Sequence, residues 1–461
     1  ARRPERSTQR GHTRPGFVVC CALAVERGSR PRVPVTGVAL MLPLPLWNIR
    51  ILDLTMVWAG PYATRILGDL GAEVIKVEGV RNWDLLRDLH LLGQVEKAYD
   101  KSAYFNNLNR NKFGCTLDLA HPRGRDLCLK LAARCDVVME NYRPDVMRNL
   151  GLEYEAFRAV RKDIIMVSMP GHGKDGPEAD RIAYGTNVEQ LGGLVSVQGY
   201  EDRGPHKSGI SYGDPMSGIA AAGAVISALF RRRATGEGSY IELAQREALT
   251  TLIGEKLLEY SMSVAAGRPE AIPQPTGNRH PAMAPHNVFR TAGGDDEWVA
   301  IACRNDADFE ALCKVMGRPE LLEDPRFADV VSRYRNQTEL EAVISEWTQS
   351  RTAAEVCDLL GGAGVPVSAV ATPAMLHEDP HLRSRGFFEL VAHPNAGVWE
   401  IDALPYHYSL TPAHVRLPPP TFGQHNDYVF RGLLGLSETE VEALRAEGVI
   451  GEAPVREEVS G

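Results

Sequence analysis

Ile49-Arg50-Ile51-Leu52-Asp53-Leu54, then Thr55-Met56-Val57-Trp58-Ala59-Gly60-Pro61, then Leu70-Gly71-Ala72-Glu73-Val74-Ile75-Lys76-Val77 is the stretch on which the fold turns. The apolar run Ile49, Ile51, Leu52, Leu54 suits a strand buried on both faces. Residues 55–60 read as a loop. Pro61 is expected as the first helical residue, where its missing N–H is an orphan anyway. Gly71 is expected just past the helix end, because glycine takes a left-handed backbone without a Cβ penalty. Residues 74–77 read as the next strand. A strand, a helix and a strand imply parallel pairing through a right-handed crossover.

The alternation continues. Residues 116–119, 136–139, 164–168 and 240–243 read as strands, and residues 123–134 as a helix. Such a pattern predicts an α/β fold with a Rossmann-like open parallel sheet. Ligands of these sheets bind beyond the carboxyl ends of the strands, so the loops to watch are 55–60, 141–144 and 169–177. The first of them has no GxGxxG fingerprint, and the chain has no GxxxxGK[ST] loop, which disfavours dinucleotide and P-loop chemistry.

Residues 215–233 form a small-residue helix (Gly218, Ala220, Ala221, Ala222, Gly223, Ala224), expected to be buried centrally and stopped by Gly236 and Gly238. Residues 247–265 read as one further helix. The prolines between Pro269 and Pro285 mark a linker. Beyond it, residues 298–302 and 365–370 read as strands and 306–316, 339–348 and 353–360 as helices. A hairpin is expected around Pro394-Asn395-Ala396-Gly397. Ser437, with Glu440 three residues on, is a capping box. The expected organisation is a large Rossmann-like domain over 41–268, a linker over 269–285, a small α/β domain over 286–372, and a segment over 373–461 that returns to the large domain.

The 461 residues suit two or three domains, and the net charge of −8 gives no overall field for nucleic acid or an anionic membrane. Phosphates would have to be met by local basic groups or backbone N–H groups. The eight cysteines, without CxxC pairs, read as buried or incidental thiols, and no cluster has metal-ligand spacing. No run approaches the ~20 apolar residues of a membrane span, so no membrane partner and a cytoplasmic location are expected. Residues 1–40 combine Arg2, Arg3, Arg6, Arg10 and Arg14 with a short apolar stretch. They are read as a disordered or artefactual extension before Met41 rather than a signal peptide.

Asp214, in Ser211-Tyr212-Gly213-Asp214-Pro215, stands before a proline that opens a helix. Locally it is a good N-cap. The same position keeps a carboxylate ionised and accessible, which a nucleophile toward an activated acyl group requires.

Several segments, in order, resemble the class III CoA-transferases (the CaiB/BaiF family) over nearly all of the chain from Leu44 onward. They are Ile49 to Leu54, Ala59-Gly60-Pro61, Leu70 to Glu78, Asn109-Arg110-Asn111-Lys112, Glu140-Asn141-Tyr142-Arg143-Pro144, Gly171-His172-Gly173-Lys174-Asp175-Gly176-Pro177 and Gly423-Gln424-His425-Asn426. The resemblance implies an enzyme that moves CoA from an acyl-CoA thioester to a small carboxylic acid, through an aspartyl anhydride and an aspartyl-CoA thioester on Asp214. It implies an intertwined homodimer, and no cofactor beyond coenzyme A as co-substrate. Implied CoA contacts are Val57, Trp58, Ala59, Leu117, Asp118, Asn141, Arg143, Met169, Pro170 and Gly171. Implied substrate contacts are Tyr184, Gly213 and His172. Trp58 is suited to stacking adenine, and Arg143 to a phosphate.

Two departures matter. Many members carry an acidic residue after the aromatic at Tyr184, and here that position is Gly185. Racemases of the superfamily depend on an aspartate there, so its absence favours transfer. The glycine run that closes the formyl-CoA transferase site has no counterpart; Gly277-Asn278-Arg279-His280 is the nearest stretch. A racemase or isomerase and a non-catalytic acyl-CoA-binding protein stand as the alternative readings.

Overall fold

The computed structural model describes residues 43–88, 96–200, 203–294 and 296–455. The expectation for residues 1–40 lies outside them. The first strand, β1 (Arg50–Asp53), leads to helix α1 (Ala59–Asp69) and strand β2 (Glu73–Glu78). Helix α2 (Ala103–Leu108), strand β3 (Lys112–Thr116), helix α3 (Pro122–Ala132), strand β4 (Val137–Glu140), helices α4 (Pro144–Leu150) and α5 (Tyr154–Val160), and strand β5 (Ile165–Ser168) follow. Next come α6 (Gly185–Leu191), α7 (Leu194–Val197), a two-residue ribbon β6 (Gly199–Tyr200) and β7 (Gly204–Pro205), helix α8 (Gly213–Thr235) and strand β8 (Ser239–Glu242).

The order β3-β2-β1-β4-β5-β8, every pair parallel, is the expected open sheet. Alternate residues sort to its two faces. Leu52, Ile75, Val77, Val138 and Met166 meet α3 and the C-terminal residues Val429, Phe430, Val441, Leu444, Val449 and Ile450. Ile51, Val74, Val137, Met139, Ile165 and Val167 meet Ala63 and Leu67 of α1 and Ala221, Ala222 and Val225 of α8. The chain reverses its direction of winding between β1 and β4, which opens a crevice at their carboxyl ends.

Three boundaries differ from expectation. Helix α1 starts at Ala59, with Trp58 at the N-cap, so Pro61 is its third residue; the Tyr62 N–H already bonds to the Trp58 carbonyl (2.8 Å). A proline is tolerated there because the N–H groups of the first turn lack intrahelical partners. Gly71 does end the helix in the left-handed region (φ +106°). Strand β3 spans Lys112–Thr116 rather than 116–119. Its start is polar, but Lys112 is buried with its charge paired to Asp53 (3.1 Å). Residues 247–265 are not one helix: α9 (Gln245–Thr250) and α10 (Gly254–Ala265) are separated by a 3-10 turn.

Helix α8 is not buried centrally. Gly213, Asp214, Ser217, Gly218, Ala221, Ala222 and Val225 face inward, while Ile219, Ile226 and Phe230 are exposed on the other side. Its 23 residues are long and apolar enough to cross a membrane by composition, and half of that window is buried in the fold. A Cβ on Gly218 would lie 2.8 Å from the Ala59 carbonyl oxygen, so glycine is what lets α8 close onto α1.

Downstream, β9 (His286–Arg290), β10 (Trp298–Ala302) and β11 (Val367–Ala369) form an antiparallel sheet. Helices Asp306–Met316, Gln337–Thr348 and Ala353–Gly362 cover one face around Phe289, Val299, Ile301, Leu312 and Ile344. The hairpin pairs β12 (Phe388–His393) with β13 (Gly397–Asp402). The capping box at Ser437 and Glu440 is formed. The C-terminal segment bonds to the edge of the large sheet: Asn426 Oδ1 accepts from Thr116 N–H (2.8 Å), and the Val449 carbonyl from Asp118 N–H (2.8 Å).

Candidate active site

The crevice between β1 and β4 is spanned by one side chain. Asn141 Oδ1 accepts from Met56 N–H and Asn141 Nδ2 donates to the Met56 carbonyl, both at 2.8 Å. The carboxamide thus mimics a strand partner and fixes the first loop. Val57 follows with φ +66°, a left-handed conformation that β-branched residues almost never adopt. Its N–H donates to Asp84 Oδ1 (3.1 Å), and Asp84 Oδ2 is paired with Lys76 Nζ (2.9 Å). Lys76 also donates to the Thr55 carbonyl (2.8 Å). Burial pulls the Lys76 ammonium down, but Asp84, Asp53 and Glu78 outweigh it and hold it above its ordinary value.

Trp58 is half-buried, edge-on to Tyr104 with ring centroids 5.2 Å apart, against Leu86, Phe105 and Leu108. The backbone N–H of Ala59, the first residue of α1, lies close enough to the Asp214 carboxylate to favour its charged form. Asp214 is 8% exposed. It is not the N-cap of α8: the helix begins at Gly213, Tyr212 holds the N-cap position without a capping side chain, and Asp214 N–H bonds to the Ser211 carbonyl (3.1 Å). Asp214 is therefore free of a capping duty.

The shift of this carboxyl is also opposite to the expectation from a helix N-terminus. Burial removes water from the charged form and raises the pKa to about 6; the Ala59 N–H opposes this only in part. Tyr104 feels the Asp214 charge, and burial together with that charge pushes its hydroxyl up, so it stays a protonated donor. On the third side lies Gly185, the first residue of α6. A Cβ there would be 1.7 Å from Asp214 Oδ2 and 2.5 Å from Ser211 Cβ. Val188, on the same helix, packs within 3.1 Å of where a Cβ on Gly213 would lie. Glu189 Oε1 accepts from Ser208 N–H (2.9 Å), fastening the start of the loop that delivers Asp214.

The sequence candidates divide accordingly. Val57, Trp58, Ala59, Gly213 and Asp214 converge, and Tyr184, 60% exposed, adjoins them through Gly185. Leu117 and Met169 do not offer side chains: both are buried in the core, with their N–H groups on the Glu78 and Glu140 carbonyls. The carbonyls of Met169, Pro170 and Gly171 are taken by Gln245 Nε2, Gln245 N–H and Arg246 N–H. Their loop was read as a ligand turn, and it is bound to the start of α9. Asp118 accepts from Ala120 N–H (3.0 Å) and pairs with Arg81 (3.5 Å). Arg143 is 47% exposed at the sheet's carboxyl edge, paired with Asp145 (3.2 Å). Both ring nitrogens of His172 are buried without a hydrogen-bond partner, and burial with nearby Arg246 lowers its pKa.

Asn278, Arg279 and His286 line a cavity of about 580 Å³ on the open face of β9-β10-β11. Arg279 is held by Glu341 (2.7 Å) and Thr338 (3.0 Å), and Asn278 reaches the Tyr200 hydroxyl (3.2 Å). Sequence reasoning missed Tyr104 and the buried Lys76–Asp84 pair. Tyr104 carries no motif of its own and reaches the site only through the packing of α2 beside α1.

Comparison with known proteins bears on the fold and the family. The model of CoA-transferase family III matches residues 46–426. The chain is 34% identical to a succinyl-CoA–D-citramalate CoA-transferase of Chloroflexus aurantiacus, over 88% of this chain and 98% of that one. It is 32% identical to a succinyl-CoA:glutarate CoA-transferase of Mus musculus, over 88% and 90%. The crystal structure of a CAIB/BAIF family protein from Brucella suis superposes with a TM-score of 0.75 at 30% identity, covering 88% of this chain and all of that one.

Proposed function

We propose that this chain, which belongs to CoA-transferase family III, transfers CoA from a succinyl-CoA-type thioester to a small carboxylic acid with Asp214 as the covalent carrier. The observation that carries the reading is the setting of Asp214: a buried carboxyl with a pKa near 6, one backbone N–H beside it, and no side chain at residue 185. At neutral pH it is mostly ionised and poorly hydrated, which makes it a better nucleophile than a solvated carboxylate.

In the first step Asp214 attacks the thioester carbonyl, the C–S bond breaks, and CoA leaves as thiolate. The thiolate attacks the aspartyl carbonyl of the anhydride and expels the donor acid as its carboxylate. The acceptor carboxylate then attacks the aspartyl-CoA thioester, giving a second anhydride and thiolate. The thiolate takes the acceptor's acyl carbon, which regenerates Asp214. The Ala59 N–H, and the Tyr104 hydroxyl that feels the Asp214 charge, are suited to stabilise the oxyanions that form at Asp214. Burial of the site protects the anhydrides from water.

The first loop and Arg143 are proposed to hold the CoA. Val57 and Trp58 present the loop's surface, and Arg143 meets a phosphate. Leu117, Asp118 and Met169–Pro170–Gly171 contribute only the surface of their turns, and His172 lies against the same loop. The acids handled by the two relatives, D-citramalate and glutarate, make short dicarboxylic acids the first acceptors to try.

A homodimer is part of the reading. Ile219, Ile226 and Phe230 (79% exposed) form one face of α8, and Leu257, Leu258, Met262 and Val264 are exposed on α10, which has no buried residue. Soluble monomers rarely leave such contiguous apolar surface open, and a second copy of the chain would cover it. The test is exchange of label between succinyl-CoA and a panel of acids. Exchange that survives Asp214→Ala would refute the carrier role. Racemisation or double-bond movement without exchange would refute transfer.

A further inference from the structure

We propose that the buried Lys76–Asp84 pair is a positioning device for the nucleophile: it holds Val57 in its left-handed conformation and thereby sets where the Ala59 N–H stands beside Asp214. This rests on the reading of Asp214 as the carrier. Lys76 and Asp84 are both 0% exposed, so neither meets a substrate.

A non-glycine residue at φ +66° persists only where its surroundings over-determine it, and such strain gathers at functional sites. The surroundings here do so residue by residue. Thr55 is fastened through its carbonyl by Lys76, Met56 through both backbone groups by Asn141, and Val57 through its N–H by Asp84. Asp84 Oδ1 also accepts from Leu86 N–H (3.0 Å), and Asp84 N–H donates to Glu78 Oε1 (3.2 Å), so the carboxylate cannot drift. Glu78 is itself gripped by Arg87 (2.8 Å).

Two residues beyond Val57 the chain enters α1. The Ala59 N–H is one of the orphans of the first helical turn, and Trp58 supplies no side-chain cap. Its direction is therefore set by the backbone that leads into it. Relaxing Val57 to an ordinary negative φ turns Trp58 and Ala59 away and strips Asp214 of the one backbone donor that opposes its desolvation.

A pair that served stability alone would lower the melting temperature and leave the titration of Asp214 where it is. The test uses the full chain and the acid limb of kcat/KM against pH, which reports the essential base of the free enzyme. Tyr104 is the titratable neighbour of Asp214, and its hydroxyl stays protonated over this range. Asp84→Asn keeps an acceptor oxygen but loses the charge that holds Lys76. The expected result is a folded enzyme whose exchange rate falls about 100-fold and whose acid limb moves above the wild-type midpoint near pH 6. Val57→Pro leaves the pair intact while excluding positive φ and removing the N–H, and gives the same upward move. It serves as the second variant should Asp84→Asn not fold. An acid limb unmoved in a folded variant overturns the proposal, whatever happens to kcat. Absence of exchange in the wild type would instead overturn the carrier reading on which it rests.

Discussion

Asp214 Oδ2 occupies the space in which a side chain on Gly185 would have to begin, since a Cβ there would sit 1.7 Å from it. A side chain, acidic or not, therefore cannot be added at Gly185 with Asp214 where it stands. Gly185→Ala is expected to push the carboxylate off the Ala59 N–H and cut exchange about 100-fold, while CoA affinity measured by calorimetry stays at the wild-type value. Unchanged exchange in Gly185→Ala would mean that Asp214 acts from another position.

The buried carboxylate of Asp214 is expected to cost stability. Its folded pKa of about 6 lies above the ordinary value of 3.8. Between those two values the native state holds the proton that the unfolded chain has released, so stability falls as pH rises through that window and stays lower above it. The shift corresponds to about 3 kcal/mol at neutral pH. Asp214→Asn should therefore melt higher than wild type at about pH 7.5, with the difference fading near pH 4. Scanning calorimetry at both pH values checks this; an equal or lower melting temperature at the higher pH would contradict it.

Arg143 is half-exposed at the carboxyl edge of the sheet and pairs with Asp145 (3.2 Å). A single charged hydrogen bond to a CoA phosphate predicts that Arg143→Ala raises KM for the thioester about 10-fold and leaves kcat near wild type. A fall in kcat at constant KM would place Arg143 in the chemistry instead.

The apolar face of α8 predicts self-association. Phe230→Asp puts a charge on the most exposed residue of that face and is expected to shift the protein from dimer to monomer in sedimentation velocity. A wild-type protein that sediments as a monomer would remove the reason for the exposed stripe.

The large sheet was legible because its strands are short apolar runs separated by helices with clear stops, as at Gly71 and Gly236. Lys112 hid the start of β3: a lysine reads as solvent-facing, and its partners Asp53 and Asn109 are brought to it only by the fold. The same holds for Lys76, whose counter-ion Asp84 lies in a loop eight residues away. In a sheet covered on both faces no alternation warns of a buried charge. Asp214 is legible in the sequence as a nucleophile candidate, while its local reading as the helix cap does not hold. Its place inside the first turn of α8 depends on Tyr212 adopting helical backbone (φ −55°, ψ −26°), which no local pattern announces. Leu117 and Met169 lie beside turns at the sheet's carboxyl edge with their side chains in the core, so only the backbone of those turns faces outward.

The central claim is that CoA passes through Asp214. Mixing the enzyme with succinyl-CoA in the absence of an acceptor and quenching it for peptide mass spectrometry tests this most directly. The account predicts a CoA thioester on the peptide that contains Asp214, converted to the hydroxamate by hydroxylamine and absent from Asp214→Asn. An enzyme that exchanges label at the wild-type rate with an unmodified Asp214 peptide, or with the adduct on another residue, would contradict it.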